Sequence, residues 1–142
     1  LQHYVPRPGP PYRDFRVFVC AGEVLAMMSR RGDDWITNVN RGAVPELVSE
    51  LVSGHGETEL AALAGAAAAA IGADFAGVDI VPAADGKLFV LEVNSMPAWS
   101  GLQSVVAVNI ADAIADALLK FLTDRSKAAA TRPYRLTAPA NS

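Results

Sequence analysis

Two apolar runs organise this chain: Gly77-Val78-Asp79-Ile80-Val81 and Leu88-Phe89-Val90-Leu91-Glu92-Val93-Asn94, each holding one carboxylate, with Ala83-Ala84-Asp85-Gly86 between them. Asp-Gly flanked by apolar runs is the strongest short-range signal for a β-hairpin, because both residues tolerate the backbone angles of a tight turn. A turn centred on Asp85-Gly86 sets Asp79 directly opposite Glu92, and directly opposed residues of an antiparallel pair point to the same face. That register predicts an apolar face of Val78, Ile80, Phe89, Leu91 and Val93, suited to a core. Asp79, Glu92 and Asn94 share the other face.

Carboxylates facing each other across a ladder repel, so the pair calls for positive charge between them. A hard divalent cation meets that need. Carboxylate and amide oxygens at short separation are the ligands Mg²⁺ uses when it also keeps waters and phosphate oxygens. The alternative reading is a solvent-facing sheet surface whose acids do no more than keep the protein soluble.

The first part of the chain predicts a second hairpin. Leu1-Gln2-His3-Tyr4-Val5 reads as the end of a strand, cut off by Pro6-Arg7-Pro8-Gly9-Pro10-Pro11, where the prolines forbid helix or central strand. Residues 14–19 alternate, with Phe15, Val17 and Val19 on one side and Asp14, Arg16 and Phe18 on the other; Ala21-Gly22 turns the chain and residues 23–29 return. Arg30 and Arg31 extend the far strand. Residues 35–43, with Thr37, Asn38, Asn40 and Arg41, read as an extended loop rich in hydrogen-bond donors. Beside three arginines such a loop suits phosphate, although a solvated surface loop has the same composition.

Residues 44–52 fit no single element. Residues 57–71 predict a helix: acids at its start, alanine runs, and Gly72 as a C-cap. His55 lies in a Ser-Gly-His-Gly turn with no evident partner. Asn109 followed by Asp112 marks another helix start, and Ile110, Ile114, Leu118 and Phe121 form one stripe of a helix ending at Leu122. Residues 123–142 read as a flexible tail.

Composition narrows the function classes. In 142 residues, 51% hydrophobic and 19% charged, there is enough apolar material for a real core in one domain. A net charge of −3 argues against nucleic acid. Cys20 stands alone inside an apolar run, which rules out an intrachain disulfide or thiolate cluster and leaves it a small strand residue. The alanine-rich stretch 61–71 is too short and weakly apolar to span a bilayer, and no secretory signal opens the chain, so the expectation is a soluble, cytoplasmic protein.

The ordered set Asp14-Phe15-Arg16, Arg30-Arg31, Asn38-Val39-Asn40-Arg41-Gly42, Gly77-Val78-Asp79 and Glu92-Val93-Asn94-Ser95-Met96-Pro97 resembles the C-terminal half of a RimK-like α-L-glutamate ligase of the ATP-grasp superfamily. The resemblance spans residues 1–122, with 123–142 outside it. It implies an α+β fold, an ATP-grasp C-terminal subdomain with a mostly antiparallel sheet and helices packed on one face. It also implies that the N-terminal half, with the phosphate-binding lysines, the flexible lid and an α/β domain, belongs to sequence before Leu1. The chain by itself is then an incomplete enzyme.

The resemblance further implies the chemistry. Such enzymes use Mg-ATP to phosphorylate a carboxylate, and an amine attacks the acyl phosphate to form an amide. It assigns Asp79, Glu92 and Asn94 to Mg²⁺, with Mn²⁺ as a substitute. Arg16, Asn38 and Arg41 form the catalytic set at the phosphates or acyl phosphate. The backbone of His3, Tyr4 and Val5 borders the adenine, Asp14 lies near the ribose, and Arg30 or Arg31 joins the phosphate contacts. The implied partners are ATP, an amino acid such as glutamate and a carboxylate-bearing acceptor, a peptide or a pterin-type cofactor; a homo-oligomer is compatible, nucleic acid and membrane are not. The sequence departs from the family pattern near the substrate: Trp35-Ile36-Thr37-Asn38 stands where Phe-Arg-Ser-Asn is common, Gly42-Ala43 replaces Gly-Gly, and Met96-Pro97-Ala98-Trp99 replaces Ser-Pro-Gly. Ile36 in a cationic position is the one hint of an alternative, an inactive Mg-ATP-binding module of the same fold.

Overall fold

The computed structural model of the chain describes residues 4–48 and 56–130, with side chains through Lys127. Its centre is a five-stranded sheet of order β3-β2-β1-β4-β5 in which every pair is antiparallel. The strands are β1 (Tyr12–Cys20), β2 (Glu23–Gly32), β3 (Val44–Glu46), β4 (Phe75–Pro82) and β5 (Leu88–Asn94). Helices α1 (Glu57–Ala70), α2 (Ser100–Gln103) and α3 (Ile110–Ala130) complete the α+β architecture. Both expected hairpins form, and β1 and β4, the inner strands of each, pair with each other.

Period-two alternation sorts the two faces of the sheet. Phe15, Val17, Val19, Val78 and Ile80 point to one face, where Leu60, Ala64 and Ala68 of α1 cover them. These three recur every fourth residue, a single helical stripe, and its alanines let the helix lie close on the strands. The helix starts with Glu57 and Glu59 at its positive end. It stops at a left-handed Gly72 (φ +67°), where Gly72 N–H donates to Ala69 O (3.1 Å) and Ala73 N–H to Ala68 O (2.9 Å). That pair of bonds is the Schellman cap expected of Gly72.

Phe18, Ala26 and Met28 point to the opposite face and meet Leu102 of α2 and Ile110 of α3. The long helix α1 thus has one face to itself, and the other carries a smaller apolar layer beside a polar half. Gln103 ties α2 to α3: its Nε2 donates to Val108 O (2.9 Å) and its Oε1 accepts from Ile110 N–H (2.9 Å). Asn109 Oδ1 accepts from Ala111 N–H (3.1 Å) and Asp112 N–H (3.3 Å), the expected N-cap. The helix continues past Leu122 to Ala130, and its expected stripe leaves the core after Ile114, with Leu118 half exposed.

Several expectations change at this level. Val93 packs on the core as expected, but Phe89 and Leu91 are exposed, and Leu88 and Val90 pack on the core in their place. The physical reason is a bulge: Asp79 pairs with Glu92 as expected, but Ile80 pairs with Val90, leaving Leu91 unpaired. Tyr4 and Val5 belong to no strand, and residues 44–52, ambiguous in sequence, contain β3. Residues 1–3, 49–55 with His55, and 131–142 of the expected tail lie outside the described residues.

Candidate active site

The polar half of the second face is built by residues at alternate positions on three central strands. Asp14 and Arg16 of β1, Arg30 of β2 and Asp79 of β4 all point into it, because Asp14 is paired with Arg30 and Arg16 with Asp79 in the strand register. Arg30 Nε and Nη2 donate to the two oxygens of Asp14, both at 2.7 Å, and Nη2 also lies 3.1 Å from Asp79 Oδ2. Arg16 clasps Asp79 from the other side, Nε to Oδ1 and Nη2 to Oδ2 (2.8 Å). The four side chains form one continuous line of alternating charge, Asp14–Arg30–Asp79–Arg16. Asp14, Arg30 and Asp79 are buried and Arg16 nearly so.

Burial raises the Asp14 pKa above its ordinary value, and the bonds from Arg30 pull it back. Burial likewise opposes the charge on Arg30, but the bonds and field of Asp14 and Asp79 outweigh it, so Arg30 stays a cation. This buried line is expensive to break and geometrically definite, since a guanidinium held at both edges has no rotational freedom left.

Glu92 stands across the ladder from Asp79 on the same face, exposed, and among the described residues it makes no hydrogen bond or ion pair. Together with Ile36, Thr37, Asn38 and Leu91 these groups line a cavity of about 220 Å³. A second cavity of about 400 Å³ adjoins it, sharing Asp14, Glu92 and Thr37 and bounded by Tyr4, Val5 and Trp35. Thr37 Oγ1 is buried beside Asp14, where it works against the rise that burial causes, yet among the described residues it makes no hydrogen bond of ordinary geometry.

Of the residues singled out in the sequence, Arg16, Asn38, Asp14, Arg30, Asp79 and Glu92 come together, with Tyr4 and Val5 in the adjoining cavity. Arg31 does not join Arg30. It points to the α1 face, where Arg31 Nε (2.8 Å) and Arg13 Nη1 (2.8 Å) both donate to Glu46. Arg41 is exposed on a short 3₁₀ turn, Val39–Arg41, and lines neither cavity. Asn94 follows Glu92 on the same face but spends its Oδ1 on Met96 N–H (2.9 Å). His3 lies outside the described residues.

Sequence reasoning missed Gly77. A Cβ there would sit 2.6 Å from Pro97 Cβ and 3.2 Å from Arg16 Cδ, so the bare backbone makes the slot in which the stem of Arg16 lies under Pro97. The signal was present, since a glycine inside a strand marks a close approach. Leu91, expected on the core face, was also missed as a lining residue.

The donor set suits magnesium. It is all oxygen, and one carboxylate is uncommitted. Among the described residues no three His, Cys, Asp or Glu side chains stand so that together they could hold a metal ion, so the protein offers no complete cage. A site of two carboxylates leaves room for waters and phosphate oxygens, the way Mg²⁺ is held beside nucleotides. Three carboxylates against two guanidiniums leave the cavity one negative charge in excess, which a cation would balance.

Known proteins resemble this chain in sequence and in fold. The chain is 40% identical over 121 residues to a tetrahydromethanopterin:α-L-glutamate ligase of Methanococcus maripaludis, covering 85% of this chain and 39% of that protein. It is 30% identical to the coenzyme γ-F420-2:α-L-glutamate ligase of the same organism, again over 85% of this chain and 40% of that protein. Among solved structures, the ATP-grasp ligase PsnB complexed with minimal precursor superimposes with a TM-score of 0.59 at 25% identity, covering 77% of this chain and 35% of that one. The chain therefore spans about two fifths of the length of these relatives. Residues 1–118 match the RimK-like ATP-grasp domain, and the chain belongs to that family.

Proposed function

We propose that the protein carrying this chain is an ATP-dependent carboxylate–amine ligase that joins glutamate, through an acyl phosphate, to a carboxylate of a peptide or a pterin-type cofactor. The observation that carries this reading is the line Asp14–Arg30–Asp79–Arg16 facing an uncommitted Glu92 in one cavity. Amide formation by this route needs fixed positive charge where a phosphoryl group moves and a cation beside it, and the cavity offers the first and the donors for the second. Asp79, Glu92 and Asn94 are the residues to hold Mg²⁺, or Mn²⁺ in its place. When bound, the ion neutralises charge on phosphate oxygens.

The chain's own residues divide the remaining work. Arg16 and Asn38 face the phosphates, and Arg41 is positioned to join them only from the exposed turn. Asp14, with both oxygens committed to Arg30, serves to fix that arginine rather than to touch the ribose. Tyr4 and Val5, beside Trp35, border the adenine. Ile36, at the meeting of the two cavities, lies where the acceptor's chemistry is read. The relatives are named as ligases, which lends no support to an inactive module.

The test is ADP release by the full-length protein with Mg-ATP. Release that requires both glutamate and an acceptor, with a product heavier by one glutamyl residue, is the expected result. No release above background with peptide, pterin and F420-type acceptors would contradict the proposal.

A further inference from the structure

We infer that Arg16 is a resident counter-ion of Asp79 that a divalent cation displaces, so that metal binding frees a guanidinium for the anionic ligand. The inference rests on the proposed function in taking Asp79 as a metal ligand, and goes beyond it in making Arg16 and the metal competitors.

A carboxylate has about four lone-pair positions. Three of those of Asp79 are occupied: hydrogen bonds from Arg16 Nε to Oδ1 and from Arg16 Nη2 to Oδ2, and the ion-pair contact of Arg30 Nη2 with Oδ2. A divalent cation taking the remaining position would stand against a guanidinium on the same oxygen, two positive centres at contact distance in a buried site. One of them must leave.

The structure distinguishes which. Arg30 is anchored at its other edge by both oxygens of Asp14 and has nowhere to go. Among the described residues Arg16 holds Asp79 alone. Its stem is confined between Gly77 and Pro97, so the guanidinium pivots at the end of a fixed stem rather than drifting away. Asn38 and Thr37 line the same cavity, and an anion held there beside the metal would receive the released guanidinium. Opposed carboxylates and their counter-charge are thereby reconciled: an internal cation fills the place until a metal takes it.

The experiment is Mn²⁺ binding to the full-length protein, followed by electron paramagnetic resonance, with metal alone and with a non-hydrolysable ATP analogue. Removing a competitor should strengthen binding of the metal alone, so Arg16→Gln is expected to bind Mn²⁺ about tenfold tighter than wild type while losing affinity for the nucleotide. Arg16→Lys keeps the charge but lacks the two-pronged grip and should fall between them; it carries the test if Arg16→Gln does not fold by circular dichroism. Unchanged or weaker binding of metal alone in the folded variants, with wild type still binding the Mn²⁺-nucleotide, overturns the competition and leaves the ligase reading standing. A wild type that binds neither metal nor nucleotide overturns both.

Discussion

Asp79 is held by two arginines, Arg16 and Arg30. Arg30 and Arg31 are adjacent in sequence, yet one enters the cavity and the other caps Glu46 on the α1 face. That choice was not legible in the sequence, because a bulge between Val24 and Ala26 shifts β2 by one residue and only then brings Arg30 opposite Asp14. On the α1 side, Glu46 joins β1, β2 and β3 through Arg13 and Arg31, with its carboxylate held below the ordinary 4.5 first by the Arg31 bond. A depressed acid stabilises the fold above its unfolded pKa and loses that contribution as pH falls through its folded pKa. Glu46→Gln is therefore expected to cost about 1 kcal/mol at neutral pH, solvent screening included, and progressively less as pH drops below 4.5. Urea unfolding at both pH values checks it.

Among the elements, the β4–β5 hairpin shows why a correct register can rest on an incorrect turn. Ala83 N–H donates to Lys87 O (2.8 Å) and Gly86 N–H to Ala83 O (3.0 Å), with Gly86 left-handed at φ +82°. This is a three-residue loop, one longer than the turn read from Asp85-Gly86. The extra loop residue shifts the pairing one way and the bulge at Leu91 shifts it back, so Asp79 faces Glu92 while Phe89 and Leu91, between the two offsets, turn outward. Alternation carries no sign of a bulge, so that part stayed hidden, whereas helix caps at Gly72 and Asn109 have local signatures and were read directly. Two glycines make a paired prediction. Gly72→Ala meets open space and should cost about 1 kcal/mol, from its left-handed φ alone. Gly77→Ala should cost about 1–3 kcal/mol more, because Pro97 must move, and should pull Arg16 away from Asp79. Thermal unfolding of the two variants gives the order, and a larger loss for Gly72→Ala would contradict it.

For the whole molecule, one sheet separates two jobs. The α1 face carries the larger apolar cluster; the opposite face ends in a charged cavity whose members come from β1, β2, β4, β5 and the loop before the 3₁₀ turn. Five antiparallel strands hold those members rigidly, which suits a site whose arginines must be fixed before a ligand arrives. The order of motifs along the sequence was enough to reach the family, and the charge line that makes the cavity specific emerged only from the pairing of β1 with β2 and β4. Glu92 is the group on which the account turns, since it alone among the cavity's carboxylates is uncommitted among the described residues. The most direct measurement is calorimetric titration of the full-length protein and its Glu92→Gln variant with a non-hydrolysable ATP analogue, with and without Mg²⁺. Wild type is expected to bind in a Mg²⁺-dependent way, and binding should weaken at least about tenfold in the variant, the loss of a charged metal contact. Equal binding by the two proteins, or binding indifferent to Mg²⁺, would mean that this face of the sheet is only an acidic surface.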